Sequence, residues 1–289
     1  MAYTLTELRS FVEPARDQFC SIIPDSDCVK EIPIHVLSDR TWIKKRTEII
    51  RRLGSSADED ADTRYSSGEL IIGKTGEEII VREEKDKQQF LHTIWHELGH
   101  AFAKEKEGKA FWQITETKDA EVLDGYLVWK EFIAESIANT IAGKTNAYYY
   151  YGPDGSYLVL HDYLEYAFGD TDIEIPDGAV LLYYLAFYFA KLITDPGVLE
   201  AKRLATFDFS AVKDLNPTLQ DPMEDIIILL KQQMSNTKFW CVDKSLLIRI
   251  TELVQMLRGY RGLARFRGQD CVVRDPDEYL KEVHPGRYI

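Results

Sequence analysis

The sequence predicts an α+β fold: a small β-hairpin, two long helices after it, and a mainly helical C-terminal part. The hairpin is indicated by two β-branched runs, residues 69–72 and 78–81, that flank a glycine-bounded turn. The two helices are indicated by apolar residues at helical spacing over residues 88–105 and 119–142. From residue 177 onward, helical patterns dominate. Strands followed by runs of helices are typical of the α+β class.

Three elements are predicted before the hairpin. Residues 4–23 have the pattern of an amphipathic helix, and Pro14 is expected to kink or break it. Residues 32–36 form a short strand candidate. Residues 40–53 have helical spacing and stop at Gly54, a residue typical of helix C-termini. Residues 54–68 are rich in Ser, Asp and Gly, which favours a mobile surface loop.

Two domains are expected. Residues 1–175 would form a core that contains the hairpin and the two long helices, the second of which closes at Gly143. Residues 176–289 would form a mainly helical part packed on that core. Its predicted helices span residues 179–193, 222–234 and 246–257, and no element is predicted from Gly268 onward.

Composition and charge exclude several classes of partner. The net charge of −13 repels nucleic acid and anionic membranes, so neither is expected as a partner. The most apolar stretch, residues 179–190, is too short to span a bilayer. Residues 1–10 lack the pattern of a signal peptide. The cysteines form no CxxC pair, which argues against a thiolate metal site and fits a reducing cytoplasm; they are Cys20, Cys28, Cys241 and Cys271. A cytoplasmic localisation is therefore expected.

The first long helix contains the sequence His96-Glu97-Leu98-Gly99-His100. Residues four apart lie on one helix face, so the two imidazoles can converge on one zinc ion. Glu97 points to the side of that ion, where it can take a proton from a zinc-activated water. This is the HExxH pattern of metallopeptidases. Gly99 is costly in mid-helix, which suggests the close approach of a neighbouring element.

A catalytic zinc site of this kind needs a third protein ligand. The second long helix offers Glu131 and Glu135, four apart on one face. Glu131 can bind the ion while Glu135 accepts the distal N–H of a ligand histidine. The other acidic candidates are expected to form a solvated face instead; they are Asp119, Glu121 and Asp124. The affinity order of divalent metals would also admit cobalt, nickel or copper.

HELGH followed on a second helix by a Glu-x-x-Ala-acid pattern resembles the gluzincin zinc metallopeptidases. The resemblance covers roughly residues 70–143 and implies a zincin-like core, with His96, His100 and Glu131 as metal ligands and Glu97 as general base. Glu135 stands where gluzincins usually have an aspartate. Within that group the hairpin–helix–helix order looks most like the ImmA/IrrE type. The metzincin continuation is absent, since Ala103 and Lys106 occupy its places.

These residues predict a zinc metalloendopeptidase that acts on a peptide or protein substrate. Glu97 would take the proton of the attacking water and deliver it to the leaving amine. The strand at residues 78–81, taken as an edge strand, would align an extended substrate. The alternative is a zinc-binding regulatory module in which proteolysis is narrow or lost. A zinc hydrolase of non-peptide amides is a third reading.

Further residues are candidates for other roles. His92, four before His96, extends the same helix stripe and either orients the site or is an ordinary helix residue. His161 and Tyr163, with the tyrosines of residues 148–151, are candidate donors to the oxyanion. A basic cluster in the C-terminal part either docks an acidic partner or is solvated, and the solvated reading is preferred; it comprises Arg258, Arg261, Arg265 and Arg267.

Overall fold

The fold is mixed α+β and mostly helical, in agreement with the predicted class. The computed structural model describes residues 3–59, 63, 66–107, 121–144, 178–194, 220–236, 238–260, 263–266 and 269–272. The chain divides into two compact units. One contains Met1–Glu105 and Ala134–Tyr150, and the other Lys106–Ile133 and Tyr151–Ile289. The domain boundary expected near residue 175 lies outside the described residues.

The N-terminal helix is broken, but not at Pro14 itself. Helix α1 spans Leu5–Ser10 and begins with a capping box between Thr4 and Glu7. Helix α2 spans Val12–Ile22, so the interruption falls at Phe11. Pro14 has no N–H to donate to the carbonyl of Ser10, and its ring crowds that carbonyl. The proline therefore ends the preceding helix and occupies the first turn of the next one, where a missing N–H costs little.

In the described part of the chain, the sheet has three strands in the order β1-β3-β2. Strand β1 is Ile34–Leu37, and the predicted hairpin is present as β2, Gly68–Gly73, and β3, Gly76–Arg82. Strand β3 pairs in parallel with β1 and antiparallel with β2. The expectation that residues 78–81 form an edge strand is therefore wrong. The backbone groups of β3 are used on both sides, and β2 lies at an edge of the sheet.

Helix α3, Asp39–Leu53, covers one face of the sheet and ends at Gly54, as predicted. Gly54 has φ 62°, a left-handed conformation that glycine adopts without strain. Apolar side chains from α3 and the strands form one buried cluster beneath the helix; they are Leu37, Trp42, Ile49, Ile50, Leu53, Ile71 and Ile80. Alternation along β2 sends Glu69 to the same face, where it pairs with the buried Arg46 at 2.6 Å.

Two long helices, α4 over Lys87–Glu107 and α5 over Leu123–Lys144, carry the candidate site. Gly99 of α4 lies against Ala134 of α5: a Cβ at Gly99 would be 3.0 Å from the Ala134 Cα. The glycine thus permits the close helix approach that its sequence position suggested. The predicted stop at Gly143 is wrong, because α5 continues through it to Lys144. The indole of Trp95 donates to the carbonyl of Ala15 at 3.0 Å and ties α4 to α2.

The second unit contains the three predicted C-terminal helices, α6 over Gly178–Thr194, α7 over Gln220–Met234 and α8 over Lys244–Tyr260. A small antiparallel pair follows, β4 over Leu263–Phe266 and β5 over Gln269–Val272, which the sequence analysis missed. Among the helices in the described ranges, none has both the length and the apolar character needed to cross a bilayer.

The first turn of α5 is anchored on α8. Gly125 donates its backbone N–H to the Thr251 hydroxyl at 2.8 Å. A Cβ at Gly125 would lie only 2.2 Å from the Leu247 carbonyl oxygen, so the two helices meet backbone to backbone. This contact, like that of Gly99, depends on the absence of a side chain.

Candidate metal centre

His96 and His100 occupy the middle of α4, where the backbone is fully hydrogen-bonded and rigid. They are one helical turn apart, and their ring centroids are separated by 4.7 Å. His96 is buried, whereas His100 is partly exposed. Partial exposure of one ligand gives solvent a route to the group, which a catalytic metal site requires for its water.

Glu131 of α5 completes the group. One ligand atom from each of His96, His100 and Glu131 lies within 4.8 Å of the others. Two imidazole nitrogens and a carboxylate oxygen are donors that zinc accepts, and ligand atoms around a tetrahedral zinc are about 3.4 Å apart. Small side-chain adjustments therefore close this group around an ion. The three residues could hold a metal ion, as their sequence pattern predicted.

The Glu131 carboxylate is buried, and a positive charge lies beside it. Only 3% of the residue is exposed. The Lys130 ammonium is 3.3 Å from Glu131 Oε1. A buried carboxylate is costly without a cation, so the lysine and a bound metal ion would both favour its charged form.

Glu135 lies one turn after Glu131 and contacts a histidine. Its Oε2 is 3.1 Å from Nδ1 of His96. A carboxylate oxygen accepts, so Nδ1 of His96 carries the proton and donates it. The lone pair of Nε2 is then left for a metal ion. The contact places Glu135 where it could fix the tautomer and orientation of a ligand ring, and that role stays a prediction.

His92 lies within reach of the same carboxylate. Its Nε2 is 3.4 Å from Glu135 Oε1 and 3.2 Å from the Asn139 Oδ1 atom. His92 is buried among the polar side chains next to the candidate ligands, and the orienting role expected for it stays a prediction. Asn139 was not predicted. It follows Glu131 and Glu135 at intervals of four on α5, and that spacing is the signal that could have identified it.

Glu97 is buried on α4 and faces strand β2. A Cβ at Gly68 of β2 would be 2.8 Å from Glu97 Oε1 and 2.7 Å from the Thr93 methyl. The absence of a side chain at Gly68 therefore leaves the space that the Glu97 carboxylate occupies. Gly68 was not predicted, because no local pattern in the chain brings it to α4.

Of the remaining acidic candidates, neither Glu121 nor Asp124 belongs to the group. Glu121 is exposed and lies 3.6 Å from the Lys244 ammonium, as expected for a solvated residue. Asp124 is 1% exposed, so the expectation of a solvated face is wrong for it. It sits in the first turn of α5, which is packed on α8. Asp119 lies outside the described residues.

Several other predicted residues also lie outside the described part of the chain. They are His161, Tyr163, the tyrosines of residues 148–151, Arg261 and Arg267. Arg258 lies in α8 and Arg265 in β4. The candidate oxyanion donors and the basic cluster therefore stay as predictions.

A partly buried acid, Glu107, lies at the end of α4. Burial raises its pKa to about 7, although a hydrogen bond donated by the Trp129 indole at 2.8 Å opposes the shift. Burial also raises the pKa of Tyr126, and the nearby charges of Glu107 and Glu131 raise it further. Tyr126 therefore stays neutral at physiological pH.

Replacing Glu107 by glutamine is expected to reduce the pH dependence of stability. The folded-state pKa is raised, so the folded protein binds more protons than the unfolded chain between pH 4.5 and about 7. Stability is then lost as pH rises through that window, by up to about 3 kcal/mol. Urea unfolding at pH 5 and pH 8 measures this loss, and Glu107→Gln should show less of it. Equal losses in the two proteins would contradict the assignment.

Comparison with known proteins gives no family. No family model, no curated protein and no solved structure matches the chain.

Proposed function

We propose that the protein is a zinc-dependent metallopeptidase of the gluzincin type, with a zincin-like core formed by the sheet, α4 and α5. The observation that carries the proposal is the grouping of His96, His100 and Glu131. Glu97 on the same helix as the histidines, and Glu135 against His96, supply the two functions that such a site needs besides its ligands.

The donor set fits a catalytic zinc ion better than a structural one. Three protein ligands leave the fourth position of a tetrahedral ion open, whereas structural sites are usually closed by four. When bound, zinc supplies a Lewis acid for the substrate carbonyl and a water whose pKa is about 7. A structural site would also have no use for a base such as Glu97 beside the ion.

Glu97 is the proton carrier in this proposal. It follows His96 by one residue, so its side chain leaves the helix about 100° away from the ligand face. That direction places its carboxylate beside the open position rather than on it. Glu97 takes a proton as the water attacks the peptide carbonyl and gives it to the leaving amine. Its burial keeps bulk water from competing for that proton.

Strand β2 is the part of the sheet suited to align an extended substrate. It pairs only with β3 among the described residues, and its first residue, Gly68, lies beside Glu97. Backbone pairing along this edge would hold a peptide in register with the proton carrier. Slowed hydrogen exchange of β2 amides when a peptide inhibitor binds would support this placement, and unchanged exchange would contradict it.

Gly68→Ala is expected to lower activity without loss of metal. The new Cβ would meet Glu97 atoms at 2.8 Å, so the Glu97 side chain must move. None of the three atoms nearest to that Cβ belongs to a candidate metal ligand. We expect kcat to fall by about 10-fold or more, since small misplacements of a catalytic group are costly. Zinc content, measured in parallel, should equal that of the wild type; loss of zinc would contradict this account.

The direct test of the proposal is peptide cleavage. The zinc-loaded chain is incubated with a mixed peptide library, and new termini are identified by mass spectrometry. Cleavage that a chelator abolishes and added zinc restores would support the proposal. Zinc binding without any cleavage would favour the regulatory alternative, in which the metal site serves binding alone.

A further inference from the structure

Glu135 is held at both ends of its carboxylate. Oε2 lies 3.1 Å from Nδ1 of His96, and Oε1 lies 3.4 Å from Nε2 of His92. Glutamate has a long side chain with freedom about three bonds, so one contact alone leaves it several orientations. Two imidazoles, one per oxygen, restrict it to a single orientation.

His92 itself is fixed by a third residue. Its Nε2 lies 3.2 Å from Oδ1 of Asn139 as well as near Glu135. Both neighbouring atoms are acceptors, so Nε2 of His92 carries the ring proton and donates it to Asn139, with Glu135 Oε1 lying 3.4 Å from the same nitrogen. His92, Glu135 and Asn139 are each at most 5% exposed, so water does not compete for these contacts.

The contacts follow from the geometry of the helix pair. On α4, His92, His96 and His100 succeed one another at intervals of four residues. The matching series on α5 runs in the opposite direction along the helix pair. Asn139 and Glu135 lie by His92, and Glu135 also lies by His96. Glu131 groups with His100. The ligands occupy one end of this seam, and His92 with Asn139 occupies the other.

We propose that His92, anchored by Asn139, is a positioning residue of the metal centre. It fixes the Glu135 carboxylate so that Glu135 orients His96 and does not itself bind the ion. This inference rests on the proposed metal site. It distinguishes two glutamates that are one turn apart on one helix: Glu131 belongs to the group that could hold the ion, whereas Glu135 is held back by its contacts to His96 and His92.

The test compares His92→Leu with His92→Gln. Leucine removes the donor, whereas the glutamine amide places an N–H close to the position of the His92 Nε2. Zinc affinity is measured by competition with a chromophoric chelator, and the melting temperature of each metal-free protein is recorded. His92→Leu should bind zinc about 10–100-fold more weakly than wild type, the usual effect of losing such a partner. His92→Gln should remain within about threefold.

The outcomes separate the two proposals. Equal zinc affinity in wild type and His92→Leu, or no recovery in His92→Gln, would overturn the positioning role alone. A wild-type chain that binds no zinc would overturn both proposals. Weaker binding in His92→Leu together with an absence of peptide cleavage would support the positioning role and overturn the peptidase. If His92→Leu does not fold, Asn139→Leu replaces it and should weaken zinc binding, and unchanged binding there would overturn the role.

Discussion

Replacing Glu97 by glutamine is expected to lower kcat/KM for peptide hydrolysis by about 10²–10⁴-fold, the usual contribution of a general base. Glutamine keeps the shape and length of the side chain but cannot take a proton. It therefore fits the space beside Gly68 that glutamate occupies. The measurement is the initial rate on a peptide found by the library experiment, for wild type and Glu97→Gln, each loaded with one equivalent of zinc.

The control for this experiment is the zinc content of the variant. Glu97 is not among the ligands, so Glu97→Gln should retain zinc with unchanged stoichiometry. Full activity in a zinc-loaded Glu97→Gln protein would contradict the role of proton carrier. Loss of zinc together with activity would instead mean that Glu97 binds the ion.

The second large effect is expected at the two glutamates of α5. Glu131→Ala removes one of three ligands and should abolish stoichiometric zinc binding. Glu135→Ala removes the carboxylate that contacts both His96 and His92, but no ligand, and should weaken the affinity by about 10–100-fold. The two variants are matched, because they make the same change one turn apart on the same buried helix. Zinc affinity of both, measured against the same chelator, gives the comparison.

A reversed order would contradict the ligand assignment. If Glu135→Ala lost zinc completely and Glu131→Ala kept it, Glu135 would be the ligand and His96 would be oriented by another group. Melting temperatures of the metal-free proteins serve as the control, since either substitution leaves a cavity in a buried seam. A loss of zinc affinity that exceeds the loss of stability of the metal-free protein is then caused by the metal site itself.

Much of the fold could be predicted because its signals are local. The hairpin shows in two β-branched runs around a short glycine-bounded turn, and β2 and β3 appear as expected. Helix α3 ends at Gly54 because that residue takes a left-handed conformation, which the sequence indicates directly. The pair His96 and His100 could be predicted for the same reason, since helical spacing fixes which side chains share a face. Glu131 lies on another helix, and it was predicted from the need for a third ligand and from the gluzincin resemblance.

What the sequence did not indicate depends on contacts between distant segments. The central place of β3 follows from its parallel pairing with β1, more than forty residues earlier, and no local pattern announces it. The space that Gly68 leaves for Glu97 likewise depends on the approach of β2 to α4. The break at Phe11 follows from Pro14. Its position can be predicted only with the rule that a proline ends the helix in the turn before it.

The central claim is that one zinc ion binds at His96, His100 and Glu131. Elemental analysis of the purified wild-type chain tests it most directly, with zinc added and then removed by gel filtration. The account predicts about one zinc per chain, absent from the His96→Ala and His100→Ala variants. A wild-type protein without stoichiometric zinc, or His96→Ala and His100→Ala variants that retain it, would contradict the account.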